Sequence, residues 1–319
     1  MTQDLSALPI RIGISSCLLG EQVRFDGSHK RDTFISEALG RFFEFIPVCP
    51  EVAIGLGIPR PPIRLIGHPD SPRAVGVRDP NQDFSTALSN YGKRMGRELD
   101  NISGYIFKKG SPSCGMERVK VYQTGQPSKS GTGLYARAFM DQQPLLPVEE
   151  EGRLGDPVLR ENFIERVFAY RRWQELEAWG LSAARLVDFH TIHKLNLMAH
   201  GTEHYRALGQ IVAQAGAMGL RQRGELYING FMAALKHRAT RKRHTNVLMH
   251  IMGYLKKNLD HADKAELLEV IEAYRLGQVP LIVPITLLKH HFRRHPDPYM
   301  ARQIYLSPHP PELMLRNSI

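Results

Sequence analysis

A change in hydrophobic period near residue 156 constrains the fold of this chain more than any other feature of its sequence. Before this point, four apolar runs have the length of buried strands: IRIGISS (10–16), a run within FFEFIPVCP (42–50), SGYIFKKG (103–110) and PLLPVEEE (144–151). Beyond it, the sequence has helical periodicity. The pattern predicts two domains of different class.

The segments between the predicted strands favour a doubly wound sheet. DTFISEALGRFF (32–43) and FSTALSNYGKRMGRELD (84–100) have apolar residues at helical spacing. Strands that alternate with helices are typical of a mostly parallel, Rossmann-like α/β domain. Since 319 residues are long for a single core, we predict an α/β domain over 1–155 and an all-α domain over 156–319.

The positive charge is concentrated in the second half. The net charge is +10, of which residues 1–150 carry +2 and residues 151–319 carry +8. The second half also holds twelve of the fourteen histidines. Such asymmetry predicts a polyanionic partner, with nucleic acid as the first candidate, and the alternative is a basic surface that only aids solubility.

The sequence shows neither the pattern of a secretion signal nor that of a membrane-spanning segment. The start, MTQDLSALPIRIGISS, lacks the basic and apolar regions of a secretion signal. The longest apolar run, PLIVPITLL at 280–288, is too short to span a bilayer and contains Pro284. Three cysteines, an odd number, argue against a disulfide framework. We therefore expect a cytoplasmic protein with reduced thiols and no membrane partner.

Each of the three cysteines is placed at the end of a predicted strand. Cys17 follows the first strand, Cys49 closes the second and Cys114 follows the third. The carboxyl ends of parallel strands meet at one rim of a sheet, so we expect the thiols there. Three thiolates can hold a [4Fe–4S] cluster and leave one iron open as a Lewis acid. The spacing contains no C-x-x-C motif and leaves open the alternative of three unrelated small apolar residues.

Three sequence motifs carry a resemblance to a known family. SSCLLG…VRFDG, PVCPEVAIGLGIPRPPIRL and KKGSPSCGM occur in order within roughly residues 10–155. Together they resemble the thiouracil desulfidases, which remove sulfur from thiolated uracil with a [4Fe–4S] cluster. The resemblance implies that Cys17, Cys49 and Cys114 are the cluster ligands and that the fourth iron receives the sulfur. One departure is Phe25, where the family pattern has Tyr.

Polar residues beside these cysteines are candidates for the proton transfers that such a reaction needs. Replacing C=S by C=O requires the addition of water and the departure of sulfide. Glu51, two residues after Cys49, is a candidate general acid and base. Ser111 and Ser113 are candidates to orient the water or the edge of the uracil. The alternatives are an N-cap or an ion pair near PRPPIRL for Glu51, and a turn hydroxyl for Ser113.

The VRFDG motif supplies two further candidates. Asp26, predicted as a catalytic residue, and Arg24 are candidates to support the base or to polarise the ring. Asp26 precedes Gly27, so the alternative for its side chain is a structural role in a turn.

Two basic segments in the second half predict an RNA-binding surface. Residues 236–257 hold seven Lys or Arg and no acid, and 287–299 hold three more cations around Phe292. The predicted RNA contacts are Lys236, Arg238, Arg241, Lys242, Arg243, Lys256, Lys257, Lys289, Arg293 and Arg294. On a helix, Arg238 and Arg241 would share one face. The alternatives are a solvated face and, for Phe292, an ordinary buried side chain.

Histidines form a second pattern in this half. We place His193, Leu197, His200 and His204 on one stripe of a helix. Spacing of this kind is compatible with zinc, but neither a carboxylate nor a thiol joins it in a known pattern, so core or RNA-backbone histidines are the favoured interpretation.

The second half also carries a resemblance, over about 190–317. FHTIHKLNLMAH, RKRHTNVLMHIMGYLKK and VPITLLKHHFRRHPDPY resemble a helical domain often fused to the desulfidase module. The fusion is similar to bacterial desulfidases of 4-thiouridine in tRNA, which implies thiolated tRNA as substrate and partner. A base stacked in tRNA must be extruded to react. The alternatives are a desulfidase of free thiouracil or thionucleosides, and a non-catalytic iron–sulfur sensor that binds RNA.

Overall fold

The computed structural model describes residues 9–123, 126–214 and 219–319, and the chain divides into two units, Met1–Gly155 and Asp156–Ile319. Each unit is described by itself below.

The described strands of the first unit form two four-stranded sheets. They are β1 (Ile10–Ser15), β2 (Phe43–Val48), β3 (Ile63–Ile66), β4 (Arg73–Gly76), β5 (Gly104–Phe107), β6 (Val119–Tyr122), β7 (Ser128–Gly131) and β8 (Val148–Glu150). The first sheet has the order β2-β1-β5-β8 and all of its pairs are parallel. The second has the order β4-β3-β6-β7 and is mixed.

The apolar composition of the central strands explains the parallel sheet. Ile12 and Ile14 of β1 are completely buried, and all four residues of β5 are buried. Strands whose two faces are both covered are typical of parallel sheets. Ile12 pairs with Phe45 of β2 on one side and with Gly104 of β5 on the other. The predicted α/β class is therefore confirmed.

The helices of this unit are α1 (Pro50–Ala53), α2 (Ser85–Glu98) and α3 (Leu134–Gln142). A glycine allows the last two to pack closely, because a Cβ atom at Gly92 would lie only 2.6 Å from the carbonyl oxygen of Tyr135. The segment predicted as a helix over 32–43 is helical but irregular: a π-helical turn at Phe34–Ala38 is followed by a 3₁₀ turn at Leu39–Arg41.

The second unit is built from helices in its described residues. They are α4 (Pro157–Ala178), α5 (Ala183–Ile192), α6 (Lys194–His200), α7 (Thr202–Ala213), α8 (Leu220–Lys236), α9 (Arg241–Leu255), α10 (His261–Arg275), α11 (Ile282–Arg294) and α12 (Pro298–Ala301). Leu248, Ile251 and Leu255 of α9 are buried in the core of this unit, as their spacing predicts. The prediction of a helical second half is confirmed.

Two details of the helical prediction are wrong. Arg238 precedes α9, which begins only at Arg241 after the Thr240 cap, so the two arginines are not on one helical face. His193 lies between α5 and α6, and α6 ends at His200 before Gly201. His193, Leu197 and His200 therefore belong to one helix, with His193 at its N-cap, and only His204 lies elsewhere, on α7 beyond Gly201. Within the described ranges, no helix is both long and apolar enough to cross a membrane.

Candidate functional site

A cavity of about 340 Å³ lies at the carboxyl ends of β1, β2 and β5. All three cysteines line it, together with Glu51, Ser111 and Ser113. The expectation that the thiols meet at one rim of the parallel sheet agrees with this arrangement. The residue ranges that contribute to the wall are 15–17, 23–25, 48–51, 62–63 and 108–114, together with Lys30 and Arg60.

Local structure fixes the position of each thiol. Cys17 lies in a 3₁₀ turn, Ser16–Leu19, directly after β1. Cys49 occupies the N-cap position of α1. Cys114 belongs to a turn in which its amide donates to Ser111 Oγ at 3.1 Å. The turn begins at Gly110, whose φ of +69° lies in the left-handed region that glycine adopts without strain.

The thiols are enclosed by protein. Burial raises the pKa of Cys17 to about 11, although the charges of Lys108 and Arg24 act in the opposite direction. Burial also raises the pKa of Cys49 and of Cys114. The free thiols are therefore protonated at neutral pH. Since only thiolates bind metal, loading of this site must release protons.

The donor set fits an iron–sulfur cluster better than a single metal ion. In the part of the chain that the structure describes, no three His, Cys, Asp or Glu side chains are grouped to hold one ion. A cluster instead takes one cysteine on each iron, so its ligands arrive from separate segments. The Ser16 hydroxyl, which is buried and belongs to the cavity wall, has no hydrogen-bond partner there. A donor in this position can satisfy a sulfide or thiolate sulfur.

Glu51 belongs to a hydrogen-bonded chain along the cavity wall. Ser113 Oγ donates to Glu51 Oε1 at 2.6 Å, and Ser111 Oγ lies 2.9 Å from Ser113 Oγ. On the other side, Arg60 Nε and Nη2 lie 2.9 and 2.8 Å from Glu51 Oε2. Arg60 is itself buried and donates through Nη1 to the carbonyl oxygen of Gly57 at 2.9 Å. Both carboxylate oxygens of Glu51 are therefore fixed in direction.

The structure contains both of the structural roles that were considered as alternatives for Glu51 and Ser113, an ion pair and a turn hydroxyl. The ion pair near PRPPIRL exists and joins Glu51 to Arg60, while Glu51 also faces the cavity. The turn hydroxyl is Ser111, whose Oγ accepts from the amides of Ser113 and Cys114. Ser113 instead uses its hydroxyl to contact Glu51.

Asp26 is not brought to the cavity. Its Oδ1 accepts from the amide and the hydroxyl of Ser28 at 3.1 and 2.6 Å, and its side chain is 47% exposed. These two bonds, above all that of the Ser28 hydroxyl, lower the pKa of Asp26. The alternative of a turn residue therefore describes Asp26 better than the predicted catalytic role. Arg24 does line the cavity, with its guanidinium 5.5 Å from the ring centre of Phe25.

Three cavity residues were missed by the sequence reasoning: Ser16, Arg60 and Lys108. Arg60 lies within the quoted PRPPIRL motif, which was the available signal. Lys108 follows β5 and pairs with Glu151. Its amide donates to Ser15 Oγ at 2.9 Å, which ties the loop after β5 to the end of β1.

Most of the predicted RNA contacts lie on the surface of the second unit. Eight of the ten are exposed: Lys236, Arg238, Arg241, Lys242, Lys256, Lys257, Arg293 and Arg294. Arg243 is half-buried and 3.6 Å from Glu203, and Lys289 donates to Ser307 Oγ at 2.7 Å. Phe292 packs against the hydrophobic core, which supports the alternative of an ordinary buried side chain.

The histidines of the proposed stripe are mainly core residues. His193 and His200 are both 1% exposed. His193 Nδ1 lies 2.9 Å from the carbonyl oxygen of Phe189, and His200 Nε2 lies 3.2 Å from Glu165 Oε2. The interpretation as core histidines therefore describes this pair.

Two protein families match the chain, one within each structural unit. Residues 12–151 match the 2-thiouracil desulfurase family, and residues 194–310 match a family of proteins of unknown function (DUF1722). The uncharacterized protein YbgA of Escherichia coli (strain K12) is 34% identical over 157 residues, which are 48% of this chain and 91% of YbgA. The uncharacterized protein YbbK of Bacillus subtilis (strain 168) is 28% identical over 149 residues, 45% of this chain and 97% of YbbK.

A solved structure is also similar to part of the chain. The [4Fe-4S]-dependent thiouracil desulfidase TudS is 30% identical, and the match covers 46% of this chain and 94% of TudS with a TM-score of 0.37. The family resemblance predicted from the three cysteine motifs is confirmed by the family match.

Proposed function

Because residues 12–151 match the 2-thiouracil desulfurase family, we propose that the chain is an iron–sulfur desulfidase that removes sulfur from 4-thiouridine in tRNA. Cys17, Cys49 and Cys114 would hold a [4Fe–4S] cluster. The overall reaction is a hydrolysis: water supplies the oxygen of the new C=O group and the sulfur leaves as hydrogen sulfide. No electron is exchanged, so neither an oxidant nor a reductant is needed.

The proposal rests on the chain Ser111–Ser113–Glu51–Arg60 in the wall of the cavity that the three cysteines line. When bound, a cluster with three cysteine ligands supplies an iron with an open position, a Lewis acid for the sulfur of a thiocarbonyl. A carboxylate within reach of the same cavity supplies the proton transfers that remain. Both requirements are met by residues of the first unit alone.

Glu51 is the acid–base residue in this proposal. A water bound at Ser113 Oγ passes its proton through that hydroxyl to Glu51 Oε1, 2.6 Å away. Glu51 then returns a proton to the departing sulfur. Arg60 holds Oε2 with two donors and thereby keeps Oε1 directed at Ser113. Ser111 supports Ser113 from the other side.

The second unit supports tRNA as the substrate. Residues 151–319 carry a net charge of +8, and eight of the predicted cationic contacts are exposed. Contacts of Lys and Arg with phosphates add affinity that does not depend on base sequence. A thiolated base stacked inside tRNA must leave the stack before it can enter the cavity.

The second candidate is a desulfidase of free thiouracil or thionucleosides. The cavity volume of about 340 Å³ falls within the range of roughly 300–1,000 Å³ that is typical of small-molecule sites. The name of the matched family also refers to the free base. In this case the basic half would serve another purpose.

Anaerobic turnover measurements separate these candidates. The full chain is reconstituted with iron and sulfide, and loss of the thiocarbonyl absorbance is followed with thiolated tRNA, free 4-thiouridine and 2-thiouracil. We expect the highest kcat/KM with tRNA and one sulfide released for each thiocarbonyl lost. Faster turnover of the free base or nucleoside would favour the second candidate. Folded, cluster-loaded protein without turnover of any substrate would refute both and would leave a non-catalytic sensor.

A further inference from the structure

The second unit contains a cavity that the proposed desulfidase reaction does not use. It has a volume of about 190 Å³ and lies at the N-terminal end of α9. We call it the α9 cavity. Its polar side chains are those of Glu161, Asn162, Arg238, Arg241, His244, Tyr274 and Ser318, and Ile319 also lines it.

Two guanidinium groups give the α9 cavity a positive wall. Neither Arg238 nor Arg241 forms an ion pair with the residues that the structure describes. Arg241 lies over the ring of Tyr274, with 5.6 Å between the guanidinium carbon and the ring centre. This contact restricts the guanidinium without consuming its charge. Arg241 is also the first residue of a 15-residue helix, and the N-terminal end of a helix favours an anion.

A buried histidine adds a neutral donor. His244 is 5% exposed, and its Nδ1 lies 2.8 Å from the hydroxyl of Tyr305. Burial lowers the pKa of His244 to about 3, so the ring is neutral at physiological pH. In the tautomer in which Tyr305 donates to Nδ1, the proton of His244 is on Nε2. In that tautomer Nε2 is the nitrogen of His244 that would donate to an anion in the cavity.

The side-chain acceptors in the wall do not cancel this positive character, and the main-chain oxygen of Ile319 accepts from the amide of Leu281 at 2.8 Å. Glu161 is compensated within the core, because Arg316 Nε lies 3.2 Å from its Oε1 and His309 Nε2 lies 3.9 Å from the same atom. Asn162 donates through Nδ2 to the carbonyl oxygen of Leu235 at 2.9 Å. Its side-chain oxygen therefore remains to accept from a hydroxyl on a bound group.

We propose that the α9 cavity binds a phosphate group. Two guanidiniums, a neutral imidazole donor and a helix N-terminus together match a tetrahedral anion that accepts several hydrogen bonds. The volume of about 190 Å³ lies below the roughly 300–1,000 Å³ of sites for drug-sized molecules. The cavity therefore has room for the phosphate group itself and little more, and this group belongs either to the backbone of RNA or to a free phosphate ester.

Binding of inorganic phosphate to the full chain tests this inference. Titration calorimetry is performed at constant ionic strength with chloride as the reference anion. We expect phosphate to bind the wild-type chain and acetate to bind at least about 10-fold more weakly. Arg241→Gln should weaken phosphate binding at least about 10-fold, whereas Lys242→Gln should leave it unchanged. Lys242 is the matched control, since it is the next residue, is exposed and does not line the cavity.

A second pair of variants guards against loss of fold, because Arg241 packs on Tyr274. Arg238 is exposed and precedes the helix, so Arg238→Gln should retain the wild-type Tm in chloride and still weaken phosphate binding, with Lys236→Gln as its control. No binding by the wild-type chain, equal loss in cavity and control variants, or acetate binding as tight as phosphate binding would each overturn the proposal.

An RNA oligomer without thiolated bases identifies the source of the phosphate. If the group belongs to RNA, phosphate competes with the oligomer at constant ionic strength and Arg241→Gln weakens RNA binding more than Lys242→Gln does. If it belongs to a free ester, the two variants bind RNA equally and differ only with phosphate. This inference is independent of the proposed desulfidase activity, because every readout is binding and no thiocarbonyl is present.

Discussion

Two carboxylates, the half-buried Glu51 of the first unit and the buried Glu165 of the second, have similar partners and different surroundings. Glu51 is held by Arg60 and Ser113 and lines the cavity of the three cysteines. Glu165 of α4 contacts Asn196, His200 Nε2 at 3.2 Å and Arg316 Nη2 at 3.8 Å, and it lines neither the cysteine cavity nor the α9 cavity.

The protonation of the second carboxylate follows from its partners. Burial acts to raise the pKa of Glu165, but the hydrogen bond and charge of His200 outweigh it and lower that pKa to about 2. Burial likewise opposes the charged form of His200, and Glu165 nevertheless raises the pKa of His200. Burial of a charged group therefore does not by itself identify a reactive group. The decisive feature is whether its partners leave it facing a cavity that a substrate can enter.

The largest effect is expected where the cavity loses a thiol. Cys114→Ser should reduce iron and sulfide to background after anaerobic reconstitution and lower desulfidase activity by more than about 10³-fold, since a hydroxyl is a poor ligand for iron in such a cluster. Met116→Leu in the same loop should retain both. Full iron content in the serine variant, measured by metal analysis, would show that Cys114 is not a ligand.

Removal of the charge of Glu51 should separate catalysis from cluster binding. Glu51→Gln should keep the wild-type iron content and lower kcat by about 10²–10⁴-fold, which is the usual contribution of a general acid–base residue. Glu44→Gln is the matched control, since Glu44 is exposed on β2 and forms only a surface ion pair with Arg11. An unchanged kcat for Glu51→Gln would assign the carboxylate a structural role.

The same substitution in the second unit should act on stability alone. Glu165→Gln leaves the buried His200 without its counter-charge and Arg316 with Glu161 alone, so the free energy of unfolding should fall by about 3–5 kcal/mol. Glu225→Gln, which removes an exposed pair with Arg221, should cost less than about 1 kcal/mol. Urea denaturation measures both. If the folded Glu165→Gln chain loses iron content, the division between the two carboxylates is wrong.

Acid should destabilise the second unit through its neutral core histidines. Burial lowers the pKa of His193 and of His244 to about 3. As the pH falls below about 6.5, the unfolded chain therefore binds more protons than the folded chain. Each histidine should lower the free energy of unfolding by about 2 kcal/mol between pH 7 and pH 5.

His200 should contribute a pH dependence of stability with the opposite sign. Its raised pKa contributes stability that is complete below the unfolded pKa and is lost as the pH rises through the folded pKa. Urea midpoints at pH 5 and pH 7 should show a reduced pH dependence in His193→Asn and His244→Asn. An unchanged pH dependence would show that these rings are not the groups that titrate.

The smallest effect is expected for a change that keeps the charge beside Glu51. Arg60→Lys replaces a guanidinium that donates twice to Glu51 by a single ammonium group. It should lower kcat about 10-fold with little change in KM, since Arg60 acts in the proposed reaction by orienting Glu51. Arg60→Gln should lower kcat further. A change confined to KM would indicate that Arg60 binds the substrate instead.

The parallel sheet was predictable because its two central strands, β1 and β5, are mostly apolar, whereas the second sheet was not. RAVG of β4 and SKSG of β7 are short and partly exposed, so their sequence does not distinguish them from loops. They are held by pairing with β3 and β6 and by packing of Leu65, Val119 and Val121 around Leu88 of α2. Such order depends on neighbours that are distant in the sequence.

For the site, the sequence by itself determined where the thiols lie, because strand ends of a parallel sheet share one rim and each cysteine follows such a strand. It also determined the candidates Glu51, Ser111 and Ser113 and the basic character of the second half. Only the tertiary structure decided that Ser113 rather than Ser111 contacts Glu51, that Arg60 holds the same carboxylate, and that Asp26 bonds to its own turn. Local sequence restricts the backbone only over a few residues. The Ser113–Glu51 hydrogen bond joins side chains 62 residues apart, so it exists only when both segments pack at one rim of the sheet.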